Sequence, residues 1–224
     1  MFIKEIFLYT SDPESLKKFY IDKLGFNLIN FSREELSFEA GESIVRFIQI
    51  RDSVKPFYHF AFNIPSNIFL EAKEWIKSKD IMLIPLNGED EFNFISWNAH
   101  SFYFYDAAGN IVEFIARHNL RNDTFKKFDI ESIINVSEIG LPVKDVGNTF
   151  QLLNEKLSIP HFSGDMKTFE AAGNEDGLLI IVNEGRKWFP DCQEAEIFQL
   201  KIILNTGAVM NLPLEDGKYI ISSA

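Results

Sequence analysis

Apolar and polar residues alternate along several short stretches of this chain, and each such stretch predicts a β-strand. The first predicted strand is Phe2–Thr10, and Ser11–Glu14 opens a helix with a capping residue and an early proline. That helix carries apolar residues at positions 16, 19, 20 and 24, which share one helical face, and it ends at Gly25. Further strands are predicted near 26–31, 35–40 and 44–50. Together these elements form one β-α-β-β-β module.

The same order of elements then returns along the chain. A strand at 57–64, a helix at 66–79, a strand at 81–84 and a hairpin at 101–116 make a second module, with a long acidic and aromatic loop at 86–98. A third module starts near 133 and has strands near 168–172 and 178–183. A fourth start at 197–204 lacks a helix and closes with a short strand at 218–222. We therefore predict an α+β fold of three full modules and one truncated module.

Two stretches show how the modules correspond. IKEIFLYTSD at 3–12 matches VSEIGLPVKD at 136–145, and each has a glutamate seven residues before the aspartate that opens a helix. Glu138 thus stands in the place of Glu5. Residues 119–132 are polar and charged, which is typical of a linker. We predict a first domain of two modules at 1–118, a linker at 119–132 and a degenerate second domain at 133–224.

The composition indicates which partners and which cellular compartment to expect. The formal net charge of −11 argues against nucleic acid or an anionic membrane surface as a partner, because both require clustered Lys and Arg. A single cysteine, Cys192, excludes an intramolecular disulfide and fits a reducing compartment. The N-terminus has no signal-peptide pattern, and no apolar run reaches the roughly 20 residues of a spanning helix. We expect a cytoplasmic protein.

One acidic residue stands out within the second predicted hairpin. Glu113 lies in an apolar strand, on the face that it shares with Ile111 and Ile115. A carboxylate in such a place needs a cation, a hydrogen-bonded acid or a metal ion as its partner. Glu113 is therefore a candidate functional residue.

The chain resembles the vicinal oxygen chelate superfamily, which includes glyoxalase I, bleomycin-resistance proteins, fosfomycin-resistance thiol transferases and extradiol dioxygenases. The resemblance is carried by Glu5 with Asp12, by Phe19–Phe26, by Tyr58–Phe62, and by Ser101–Asn110 with Glu113. It covers residues 1–117 well and 133–224 more weakly. It implies pairs of modules that form cupped mixed sheets around a divalent metal ion.

The resemblance also implies a ligand set. The metal ligands would be Glu5, His59 and Glu113, with Glu5 or Glu113 as the catalytic carboxylate. The family commonly has His or Gln at the Glu5 position, and one imidazole with two carboxylates suits Zn, Ni, Mn or Fe. Phe47 or Gln49 falls at the fourth ligand position of glyoxalase-type sites, depending on the alignment, and Gln49 is a candidate substrate contact. In the second half, Gln199 and Ile221 fall near the positions of His59 and Glu113, so we expect no second metal site there.

Substrate contacts follow from the same resemblance. Ser101 and Tyr103 resemble residues that touch substrate in the fosfomycin-resistance group, and Tyr9 would line the cup. Each candidate also has a plain structural explanation: His59 as a satisfied core histidine, Glu5 as a surface partner of a lysine, and both tyrosines as packing residues.

Two small-molecule functions stay open at this point, and a third possibility is a structural or regulatory protein with no small ligand. The first is a metal-dependent enzyme that binds a small oxygenated substrate in the N-terminal cup, as a lyase, a dioxygenase or a thiol transferase. The alternative is a metal-free small-molecule binder like the bleomycin-resistance proteins. In both cases we expect a small-molecule ligand, and either a monomer with an internal pseudo-dimer or a homodimer.

Overall fold

The structure is a computed structural model that describes residues 1–51, 54–205 and 210–223. The chain divides into four consecutive modules. The first module contains β1 (Phe2–Thr10), α1 (Pro13–Lys17) with a π-helical continuation (Lys18–Lys23), β2 (Leu28–Phe31), β3 (Glu35–Ala40) and β4 (Ser43–Gln49). The second contains β5 (His59–Ile64), α2 (Phe69–Ser78), β6 (Phe92–Phe94), β7 (Ala99–Tyr105) and β8 (Ile111–Arg117).

The third and fourth modules continue the pattern. The third contains β9 (Asn135–Val143), α3 (Val146–Leu157), β10 (His161–Gly164), β11 (Phe169–Asn174) and β12 (Gly177–Asn183). The fourth contains only strands: β13 (Leu200–Asn205), β14 (Met210–Leu214) and β15 (Tyr219–Ser223). The predicted α+β fold of three full modules and one truncated module is confirmed.

Strand pairing joins the modules in a crossed order. β1 pairs antiparallel with β13, and β5 pairs antiparallel with β9. The first module therefore forms one cupped sheet with the fourth, and the second forms another with the third. Both pairings join a strand before the 119–132 segment to a strand after it. The sheet is therefore continuous across the predicted domain boundaries. The domain boundaries at 118 and 133 stay a prediction.

The alternation of side chains along each strand shows which residues face the helices and which face the concave side of the sheet. Phe60 and Phe62 on β5 are fully buried in the aromatic core beneath the helices, where Phe62 and Phe114 pack at 6.0 Å between ring centroids. His59 and Ala61 therefore point to the opposite, concave face. The same alternation on β8 puts Glu113 on the concave face beside them.

The hairpin turn between β7 and β8 is tied to the first helix. Asp106 is buried and accepts hydrogen bonds from the Tyr20 hydroxyl at 2.8 Å, from the backbone N–H groups of Ala108 and Asn110, and from the Asn110 amide. Gly109 completes the turn with φ +85°, a conformation that favours glycine. This network fixes the end of β8 that leads to Glu113.

Some local predictions differ from the structure. The predicted strand at 81–84 forms only an isolated bridge between Leu83 and Phe104. The loop at 86–98 contains β6, which pairs with β7. Neither β10 nor β14 was predicted. Among the described residues, no helix is both long and apolar enough to cross a membrane.

Candidate metal centre

Three buried side chains converge on the concave face formed by the second and third modules. Ala61 of β5 is paired with Glu113 of β8 on one side and with Glu138 of β9 on the other. His59 lies two residues before Ala61 and so shares its face. One ligand atom from each of His59, Glu113 and Glu138 lies within 4.8 Å of the others. The small Ala61 side chain leaves room between the two carboxylates.

The imidazole of His59 is oriented by its backbone neighbour. Its Nδ1 lies 3.3 Å from the carbonyl oxygen of Ile111, so the neutral ring donates from Nδ1 and keeps the Nε2 lone pair free. Nε2 lies 3.5 Å from Oε2 of Glu113. Burial lowers the pKa of His59 to about 4, which favours the neutral, ligand-competent form near neutral pH.

The two carboxylates have different surroundings. Glu138 pairs with the guanidinium of Arg117, which is itself fully buried and also donates from Nε to Ser137 Oγ at 3.2 Å. Burial raises the pKa of Glu138, and the Arg117 charge opposes that rise. Burial, followed by the nearby charge of Glu138, raises the pKa of Glu113 well above its usual range. Glu113 is thus the carboxyl that more readily holds a proton.

The three side chains form the floor of a cavity of about 330 Å³, a size typical of small-molecule sites. The segment between β12 and β13 covers it: the Trp188 ring lies 5.2 Å from the His59 ring and packs on Gly140, where a Cβ would come within 2.7 Å of the indole. The remaining lining residues are mostly aromatic: Phe94, Trp97, Tyr103, Ser163, Phe169, Ile180, Arg186 and Phe189.

Comparisons with known proteins agree with this architecture. No family model and no curated protein matches the sequence. Among solved structures, a candidate dioxygenase from Bacillus subtilis superposes with a TM-score of 0.62 at 15% identity, covering 100% of this chain and 85% of its own. A glyoxalase I variant from Zea mays superposes with a TM-score of 0.61 at 14% identity, covering 99% and 93%. The chain has the fold of the vicinal oxygen chelate superfamily.

Within this vicinal oxygen chelate fold, Glu5 does not join the three-residue group. Its carboxylate pairs with Arg46 Nε at 2.6 Å, and Arg46 Nη1 pairs with Glu35 at 2.6 Å. The crossed pairing of modules is the reason: β1 lies against β13, whereas β9 lies against β5. Glu138 therefore lies beside His59 and Glu113 at the position that was predicted for Glu5.

The strand register identifies the corresponding residues in the cup that the first and fourth modules form. Ile203 is paired with Glu5 on one side and Ser222 on the other, as Ala61 is with Glu138 and Glu113. Lys201 then corresponds to His59. These positions lie one or two residues from Gln199 and Ile221, the positions predicted from the sequence. A lysine and a serine replace the imidazole and one carboxylate.

Of the four predicted substrate contacts, Ser101 and Tyr103 lie on the face of the three-residue group, whereas Tyr9 and Gln49 do not line its cavity. Tyr103 lies opposite Glu113 on β7 and lines the cavity, and Ser101 is buried two residues before it, on the same face. Tyr9 lies instead at a separate depression beside Phe198. Gln49 is paired with Thr10, so the alternation along β1 and β4 turns it to the sheet face away from Glu5 and Tyr9. Neither Tyr9 nor Gln49 is among the residues that line the cavity of the three-residue group.

Sequence reasoning overlooked Arg117 and the segment that covers the cavity. Arg117 ends the same apolar strand as Glu113 and lies on the same face. A buried arginine needs a carboxylate partner, so the alternation of this strand already indicated that a second acid lies nearby. Arg186 and Trp188 follow a predicted strand in a segment without periodicity, and nothing in the sequence indicated that this segment folds back over the site.

Proposed function

We propose that the protein is a metal-dependent enzyme that binds one divalent ion and a small oxygenated substrate in the cavity between the second and third modules. The supporting observation is the convergence of His59, Glu113 and Glu138 at the cavity floor. Buried acids at this separation repel each other unless protons or a cation lie between them.

The donor set fits such an ion. It offers one imidazole nitrogen with a free lone pair and two carboxylates, a combination suited to Zn, Ni, Mn or Fe. The Nδ1 contact of His59 with Ile111 supplies the outer hydrogen bond that orients a ligating imidazole. Arg117 leaves one oxygen of Glu138 without a guanidinium contact. That oxygen is available to the ion.

The chemistry then divides between the ion and the chain. A bound divalent ion would polarise adjacent oxygens of the substrate and stabilise negative charge on them. We assign proton transfer to the Glu113 carboxylate, because the guanidinium of Arg117 pairs with Glu138 instead. Arg117 holds the Glu138 carboxylate in place and opposes the rise of its pKa that burial causes. The aromatic cover over the floor limits the access of water.

A second candidate function is a metal-free binder of small molecules. The ion pair of Arg117 with Glu138 supports it, since this pair neutralises one acid without a metal while Glu113 can stay protonated. The aromatic lining would then supply most of the contacts with the ligand.

Metal uptake distinguishes these functions. Protein stripped with EDTA is titrated with Zn, Ni, Mn and Fe by calorimetry, and the enzyme proposal expects about one equivalent of at least one metal per chain. His59→Ala should abolish uptake, whereas His100→Ala, a histidine on β7 that contacts His118 instead, should retain it. Absence of uptake for all four metals contradicts the enzyme proposal, and ligand-induced thermal stabilisation that persists in EDTA then supports the binder.

A further inference from the structure

Arg186 is the one cationic side chain that lines the cavity in the part of the chain that the structure describes. It lies in the covering segment at the mouth, and its guanidinium packs on the Phe169 ring at 4.8 Å from the centroid. Within the described residues no carboxylate lies within ion-pair distance of it. The nearest acid that influences it is Asp165.

The Asp165 carboxylate is hydrogen-bonded within its own loop. Its carboxylate accepts from the backbone N–H groups of Lys167, Thr168 and Phe169 and from the Thr168 hydroxyl, at 2.8–3.1 Å. These contacts use the Asp165 carboxylate within its own loop, and among the described residues it forms no ion pair with Arg186. Arg186 therefore presents a fork of donors to the cavity without an internal anion to receive them.

Aromatic rings connect this arginine with the cavity floor. Arg117 lies over Trp97 at 5.7 Å, Trp97 stacks with Phe169 at 6.4 Å and 30° between ring planes, and Phe169 carries Arg186. The result is one continuous wall of flat groups. Arg117, which is paired with Glu138, lies at one end of this wall. Arg186, which has no carboxylate partner among the described residues, lies at the other end.

A ligand complementary to this cavity has two properties. A planar ring would stack against the Trp97–Phe169 wall, where offset aromatic contacts are favourable. An anionic group would occupy the fork of Arg186 at the mouth, where a carboxylate forms two parallel hydrogen bonds. A cationic ligand would meet repulsion from Arg186, although the whole chain is acidic with net charge −11.

We propose that the cavity selects small aromatic carboxylates, with the carboxylate bound by Arg186 and the ring held against Trp97 and Phe169. This inference names the substrate class of the proposed enzyme and uses the same cavity, but it depends on the arginine and the rings rather than on a metal. The alternative binder function would have the same preference.

Matched probes test the selection. Benzoate, benzamide, benzylamine and hexanoate are titrated into the full chain, with EDTA and again with added Zn. Binding is followed by calorimetry and by tryptophan fluorescence, since two of the three tryptophans, Trp97 and Trp188, line the cavity. We expect benzoate to bind at least about tenfold more tightly than benzamide or hexanoate, and benzylamine most weakly. Arg186→Gln should remove the preference for benzoate over benzamide, and Arg186→Lys should keep part of it.

Controls separate this inference from the metal proposal. Arg121→Gln, in the exposed linker, should leave all affinities unchanged. Metal content is measured on the same Arg186→Gln protein, and we expect it to equal that of the parent. Equal affinity for benzoate and benzamide in both media, a preference that survives Arg186→Gln, or no carboxylate binding up to about 10 mM would each overturn the inference. Absence of metal binding by the parent protein, with its preference for benzoate intact, would overturn only the enzyme proposal.

Discussion

His59 and Glu113 face one another across adjacent parallel strands, with the imidazole Nε2 3.5 Å from the carboxylate Oε2. Both side chains are almost fully buried, at 6% and 2% exposure. Glu138 completes the group from a strand of the third module, so a single site draws on both halves of the chain. The proposed chemistry depends on this meeting of the second and third modules.

The ion pair of Arg117 with Glu138 should be strongly coupled to stability. Arg117→Met leaves a buried carboxylate without its cation, and we expect it to lower the free energy of unfolding by about 3–5 kcal/mol in EDTA. The double variant Arg117→Met with Glu138→Gln should recover most of that loss, because no charge is then left unpaired. Urea unfolding measures both. Equal stabilities of the single and double variants would argue against the coupling.

Asp106 should give the stability of the protein a pH dependence of its own. Burial raises the folded-state pKa of Asp106 against the opposing hydrogen bonds from Asn110 and Tyr20. A raised pKa favours the protonated folded form, so this residue's contribution is largest below the unfolded pKa of about 3.9 and is lost as pH rises through the folded value. The melting temperature of the parent relative to Asp106→Asn should therefore fall as pH rises from about 4 towards neutrality.

The control for that experiment is Asp80→Asn, a change at an exposed residue. Its melting temperature should follow that of the parent across the same pH range. A melting temperature of the parent minus that of Asp106→Asn that stays constant, or becomes more positive as pH rises, would show that Asp106 does not titrate in this way.

Equivalent positions in the other cup should accept a second metal site. Lys201→His and Ser222→Glu place the missing ligands around Ile203, and Arg46→Ile releases Glu5 from its ion pair. We expect the triple variant to bind a second, weaker equivalent of metal, measured by calorimetry. Lys201→His alone serves as the control and should bind one. A stoichiometry near one for the triple variant would contradict the correspondence derived from the strand register.

The fold could be predicted from sequence because its signals are local. Strand alternation, the Asp12 and Asp145 helix caps and the repeated glutamate defined the modules. The short strands β10 and β14 carry no clear alternation, and the predicted strand at 81–84 found a partner only at Leu83. These segments depend on which neighbour the tertiary fold brings to them, and the sequence does not contain that information locally.

The site was harder to predict because it depends on which modules pair. His59 and Glu113 lie in one module, and the family resemblance named both as candidates; the pairing of β5 with β8 puts them on one face. The choice between Glu5 and Glu138 required the order of strands across the sheet, since both glutamates hold the same place within their modules. Gln49 shows a further limit, because a slip of one residue in a strand moves a side chain to the opposite face.

Metal content of two matched variants tests most directly whether the site lies between the second and third modules. Glu138→Gln and Glu5→Gln make the same change at corresponding positions of β9 and β1. Each protein is saturated with the metal that the parent binds, dialysed, and analysed by mass spectrometry of its elements. We expect Glu5→Gln to retain about one equivalent and Glu138→Gln to lose most of it. Loss of metal in Glu5→Gln with retention in Glu138→Gln would contradict the proposed site.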